Sequence, residues 1–127
     1  MSNYTEGNVS DPNAVSRIAA GMTLKGGEIF TTNDIRIDGS FEGRITSKGR
    51  IIVGEGGSVK ADLICTNLDV WGNYEGDATI KDTLSLRSSS RVKGSFSAAH
   101  LMVEMGAEFE GQTRIISEED FARAAGE

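Results

Sequence analysis

Several things are scarce in this chain of 127 residues. There is one cysteine, Cys65, so an internal disulfide is excluded and nothing argues for an oxidising compartment. There is one proline, Pro12, and one histidine, His100. No apolar run approaches the ~20 residues that span a bilayer, and the first fifteen residues lack the basic-then-apolar order of a secretory signal. The expected location is the cytoplasm. A basic excess is also missing. The formal net charge is −6, yet residues 17–116 hold 12 Lys or Arg against 13 Asp or Glu, so the acidity sits in the two ends. A charge-mixed middle is a poor nucleic-acid surface, and no nucleic-acid partner is expected. What is plentiful is glycine, 16 residues, and with so little proline this suggests tight turns between uninterrupted backbone ladders.

An internal repeat organises the chain. Apolar pairs spaced i, i+2 occur at Ile18/Ala20, Ile35/Ile37, Ile51/Val53, Leu68/Val70, Leu84/Leu86 and Leu101/Val103, with first members 17, 16, 17, 16 and 17 residues apart. A second column follows: Leu24-Lys25-Gly26, Phe41-Glu42-Gly43, Val59-Lys60-Ala61, Tyr74-Glu75-Gly76, Val92-Lys93-Gly94 and Phe109-Glu110-Gly111. A third column lies two residues further on, at Ile45, Leu63, Ala78, Phe96 and Thr113. The first rung offers Glu28 there, with Ile29 one place later, and predicts a bulge or a frayed start. From pair to second column the spacing is four residues in rungs one, two and four and six in rungs three, five and six. The even difference preserves the inward–outward alternation.

Six rungs of about 17 residues, each with three short strands of period two and glycine-rich corners, predict an all-β chain folded as a parallel β-helix, a solenoid. The uneven rung length departs from a strict six-residue unit and favours the right-handed form. Residues 1–16 are expected to be a disordered N-terminal tail, residues 17–116 the β-helix, and residues 117–127 an acidic C-terminal tail or short helix. In the last segment Ser117 stands three residues before Asp120, a helix-start pattern. Phe121 could fold over the end rung, but a free acidic tail is the favoured reading.

The run Ile35-Arg-Ile-Asp-Gly-Ser-Phe-Glu-Gly43, then Ile51-Ile-Val-Gly-Glu-Gly-Gly57, Val59-Lys-Ala61 and Leu101-Met-Val-Glu-Met-Gly-Ala-Glu-Phe-Glu-Gly111, resembles the bactofilins, bacterial polymer-forming cytoskeletal proteins. The likeness covers roughly residues 18–116. It implies a right-handed β-helix between disordered tails. It implies filaments built without nucleotide by end-to-end stacking, like ends meeting, and a scaffold for cell-shape and envelope-building proteins at the inner face of the membrane. Many members carry a short apolar N-terminal membrane-targeting segment. Here residues 1–10 hold only Tyr4 and Val9 as sizeable apolar residues.

The residues support self-assembly independently. A solenoid exposes an open ladder and an apolar interior at each end unless a polar rung caps it. The last rung keeps Leu101, Val103 and Phe109, and the first keeps Ile18 and Leu24, so these five form the expected polymer contacts. Trp71, outward by alternation in rung four, is a candidate surface contact.

Enzymatic readings find little. Ile52-Val53-Gly54-Glu55 fits one unit of a hexapeptide acyltransferase, but the lone His100 lies at a rung boundary. Asp38, Asp62, Glu75 and Asp77 are scattered carboxylates without the long loops that would pair them in a cleft. Gly54-Glu55-Gly56-Gly57 lacks the phosphate-loop pattern, and Cys65 has no companion for a metal. No catalytic residue, cofactor or metal site is expected. The main competitor to a filament subunit is a non-polymerising adaptor of the same fold.

Overall fold

Alternation of Ile, Val, Leu and Phe with polar residues places every second side chain on one face, and β-branched residues suit the pleated, half-buried setting this creates. In a computed structural model, which describes residues 4–6 and 15–124, these segments form eleven strands and one helix. The strands are β1 (Tyr4–Glu6), β2 (Val15–Ile18), β3 (Thr23–Thr31), β4 (Asp34–Ile37), β5 (Ser40–Ser47), β6 (Arg50–Val53), β7 (Ser58–Val70), β8 (Asn73–Leu86), β9 (Arg91–Ala98), β10 (His100–Val103) and β11 (Glu108–Ile115). Helix α1 spans Glu118–Ala124.

All pairing is parallel and the chain winds as a β-solenoid of about six turns. One stack runs β2–β4–β6, then through the ends of β7 and β8 to β10. The other runs β3–β5, through the starts of β7 and β8, to β9 and β11. The inward set fills a narrow core, with Ile35, Ile37, Ile45, Ile51, Val53, Leu63, Leu68, Val70, Leu84 and Leu86 enclosed.

Rung one departs from the sequence reading. Ser16 pairs with Ile35 and Ile18 with Ile37, so Ile18 is the second member of its pair, not the first. Ala20 instead lies in a turn closed by Met22 N–H donating to Ala19 O at 3.1 Å. Rungs three, five and six close the same corner in the same way: Gly57 N to Gly54 O, Ser90 N to Arg87 O, and Ala107 N to Glu104 O. Rung one is therefore a long rung. A polar residue at an inward position of an end rung, Ser16, hid this register. The predicted bulge is present, with the register shifting between Lys25 and Gly27, so that Ile29 takes the third column opposite Ile45.

The corner between the second and third columns explains the recurring glycines. Gly94 and Gly111 have φ of 137°, which side chains disfavour. A Cβ on either would collide with the carbonyl oxygen of the glycine one rung below. Ala61 alone breaks this column. Its carbonyl accepts a 2.6 Å hydrogen bond from the buried Tyr74 hydroxyl instead.

The expected N-terminal tail over 1–16 falls mostly outside the described residues; those described within it, Tyr4–Glu6 and the start of β2, are strand. β1 pairs with Glu28–Phe30 of β3. Residues 118–124 form a helix and not a free tail. Ser117 and Asp120 cap it reciprocally: Asp120 N–H donates to Ser117 Oγ at 3.2 Å and Ser117 N–H to Asp120 Oδ2 at 3.3 Å.

Candidate polymerisation surfaces

The last rung is built like those before it, but among the described residues no strand is stacked upon it. Leu101, Val103 and Phe109 stand in register with Leu84, Leu86 and Val92. The latter three are 0, 0 and 4% exposed; the former three are 39, 51 and 37% exposed. Ile115 also continues the inward alternation and is uncovered, although the sequence reading did not single it out. The signal was there, since Phe109, Gly111, Thr113 and Ile115 are evenly spaced by two. Met105, at the tip of the turn closing this rung, is 96% exposed. An aromatic staircase leads to the same surface. Tyr74 and Phe96 have ring centroids 5.5 Å apart, as do Phe96 and Phe109.

Helix α1 does not cover this end. It packs along the flank against β8, burying Phe121, with Glu118 beside Thr66, Lys81 and His100. The idea that Phe121 folds over the end rung is therefore corrected: Ile116 N–H donates to Ala98 O, so the chain turns back along the stack. The hydrogen bonds with Ser117 hold the Asp120 carboxyl below its usual range.

The first rung is finished differently. Leu24 is 40% exposed, as an end contact would be, but Ile18 is only 4% exposed. Ile18 belongs to the enclosed core and offers almost no surface for a contact, a correction to its expected role.

The rims of the solenoid carry ordered charge. Register places Lys25, Glu42, Lys60, Glu75, Lys93 and Glu110 in one continuous column across the rungs, and the sign alternates at every step. Opposite charges directly across a ladder stabilise it and like charges weaken it. On another corner Trp71 lies under the Arg87 guanidinium, whose carbon is 5.0 Å from the ring centroid. Arg87 reaches on to Glu104 at 3.6 Å. Trp71 thus covers the neighbouring rung while keeping an exposed face.

The remaining candidates are dispersed. Asp38 is held by Arg36 at 2.9 Å and Arg17 at 3.1 Å, and the hydrogen bond from Arg36, with both positive charges, keeps its carboxyl below the usual range. Cys65 points into the core, where burial pushes its thiol far up and leaves it unreactive. His100 lies on the surface 3.9 Å from Asp82. Among the described residues no three His, Cys, Asp or Glu side chains are grouped to hold a metal, and no helix is long and apolar enough to cross a membrane.

Comparison with known proteins agrees with this architecture. The profile of the Bactofilin family, described as polymer-forming cytoskeletal, matches residues 16–114. Bactofilin BacO of Myxococcus xanthus (strain DK1622) is 32% identical over 85 residues, covering 67% of this chain and 68% of BacO. Bactofilin BacP of the same organism is 26% identical over 100 residues, covering 79% of this chain but 42% of BacP. No solved structure matches the chain. A β-solenoid with an uncovered apolar end rung, matched along nearly its whole repeat by this profile, places the chain in the bactofilin family of polymer-forming cytoskeletal proteins.

Proposed function

We propose that this chain is a non-enzymatic filament subunit whose solenoids stack end to end without nucleotide. The filament would lie in the cytoplasm, against the inner face of the membrane, and scaffold cell-shape or envelope-building proteins. The observation that carries the stacking is the uncovered last rung, where Leu101, Val103 and Phe109 repeat a core layer that lacks its next neighbour. Burying that layer against a second copy removes apolar surface from water and completes a parallel or antiparallel ladder at an open edge. Leu24 is the proposed contact at the other end. Trp71, with Arg87, is proposed as a side contact for a partner or a neighbouring filament.

The test is electron microscopy of the purified protein, without nucleotide or metal, beside Phe109→Arg. The wild type is expected to form filaments. The variant places an unpaired charge in the joint, costing about 3–5 kcal/mol, and is expected to remain a short, folded species. Circular dichroism must show the β-signal retained, because Phe109 also packs on Phe96. Filaments of unchanged length from the variant would remove the C-terminal contact. Small particles from both proteins, at high concentration and varied salt, would favour the adaptor reading.

A further inference from the structure

The two ends of the solenoid are not equivalent. At the C-terminal end the inward residues of both strand stacks are uncovered. At the N-terminal end a piece of the chain itself already lies on the edge. β1 sits in parallel register on β3, Tyr4 against Glu28, Thr5 against Ile29 and Glu6 against Phe30. It occupies the place that a preceding rung would take over the third column. Among the described residues nothing comparable lies over the second column, where Leu24 is exposed.

We propose that β1 is an internal competitor for the N-terminal joint: it holds the edge of β3 on which a second copy stacks, and is displaced when that copy arrives. The proposal rests on the end-to-end reading above and adds how that joint is controlled. Its occupant is a second copy of this chain, because the edge demonstrably accepts a strand and continues the same apolar columns. Three residues of ladder are few compared with the whole rung a second copy offers, so β1 can be displaced. Being in the same chain, separated from β2 by residues 7–14, it needs no encounter and competes best when subunits are dilute. The exposed Leu24 beside it gives the incoming copy a first foothold. The C-terminal joint needs no such displacement, so the two joints form with different concentration dependence.

Two variants test this, read by sedimentation over a concentration series. The first lacks residues 1–14. Its critical concentration for assembly is expected to fall about tenfold, the loss of a few ladder hydrogen bonds from the competing state. The second is Tyr4→Cys with Glu28→Cys. Facing residues of neighbouring strands lie ~4.8 Å apart, within disulfide range, and the native Cys65 is buried away from them. Oxidised, this chain is expected to stop at a small species; with reductant it is expected to assemble like the wild type. Equal assembly of the oxidised and reduced chains, or an unchanged critical concentration after deletion, would overturn the proposal. If Phe109→Arg abolishes filaments while the lock has no effect, end-to-end stacking stands and the competitor does not. If neither the wild type nor the truncated chain assembles, both fall.

Discussion

At the scale of single residues, the fold is sustained by a few positions where backbone and side chain exchange roles. The glycine corner lets each rung sit directly on the last, and Ala61 is the one interruption. Tyr74 answers it with a buried hydroxyl, so Tyr74→Phe leaves a buried carbonyl without its donor. The expected loss is about 1–3 kcal/mol, measured by urea unfolding, with the β-signal of the folded state unchanged. Asp38 gives a pH test. Its carboxyl is depressed in the folded chain by Arg36 and Arg17. A depressed carboxyl contributes stability above its unfolded value and loses it as pH falls through the folded one. Asp38→Asn is therefore expected to be less stable than the wild type at neutral pH, the gap closing as pH falls below the ordinary value of 3.8. A gap that persists in acid would assign the difference to packing. Cys65 shows where the sequence misleads: following Leu63-Ile64 it reads as a turn residue, but β7 runs on through it from Ser58 to Val70 and makes it an inward core residue.

At the scale of elements, the repeat was legible because every inward column is apolar through the middle rungs, and strand pairing there follows the spacing read from the sequence. Legibility fails at the ends. In rung one Ser16 occupies an inward place and Ala20 imitates one, so the register slipped by two. β1 gave no signal, since three residues carry no periodicity. The short helix was visible only in its Ser117–Asp120 cap; its burial of Phe121 on the flank depends on a distant strand, β8. The alternating column from Lys25 to Glu110 also becomes visible only once the rungs are stacked. It specifies rung order, because a slip by one rung sets like charge on like. Glu75→Lys would make Lys60, residue 75 and Lys93 three positive neighbours. The expected loss is about 1–2 kcal/mol at low salt, shrinking as salt is raised. Thermal unfolding at two ionic strengths checks it, and an unchanged loss in high salt would point to packing instead.

At the scale of the whole molecule, the enclosed core and the open end are one design, since the layers that hold the middle together are what the last rung still presents. The candidate site was therefore read from the absence of a cap, not from any motif. Leu101, Val103 and Phe109 could be named because they match internal layers, while Ile18 could not be told from them without seeing what encloses it. The winding has a mechanical consequence. Every ladder bond lies along the solenoid axis, while the covalent chain circles it. A rung of 16 or 17 residues adds ~4.8 Å to the height, yet drawn out straight it reaches ~55 Å. Pulled along its length, such a stack behaves as a coil of stored slack. It is stiff while its rungs stay seated, then yields one turn at a time, each released turn lengthening it roughly tenfold over the height it occupied.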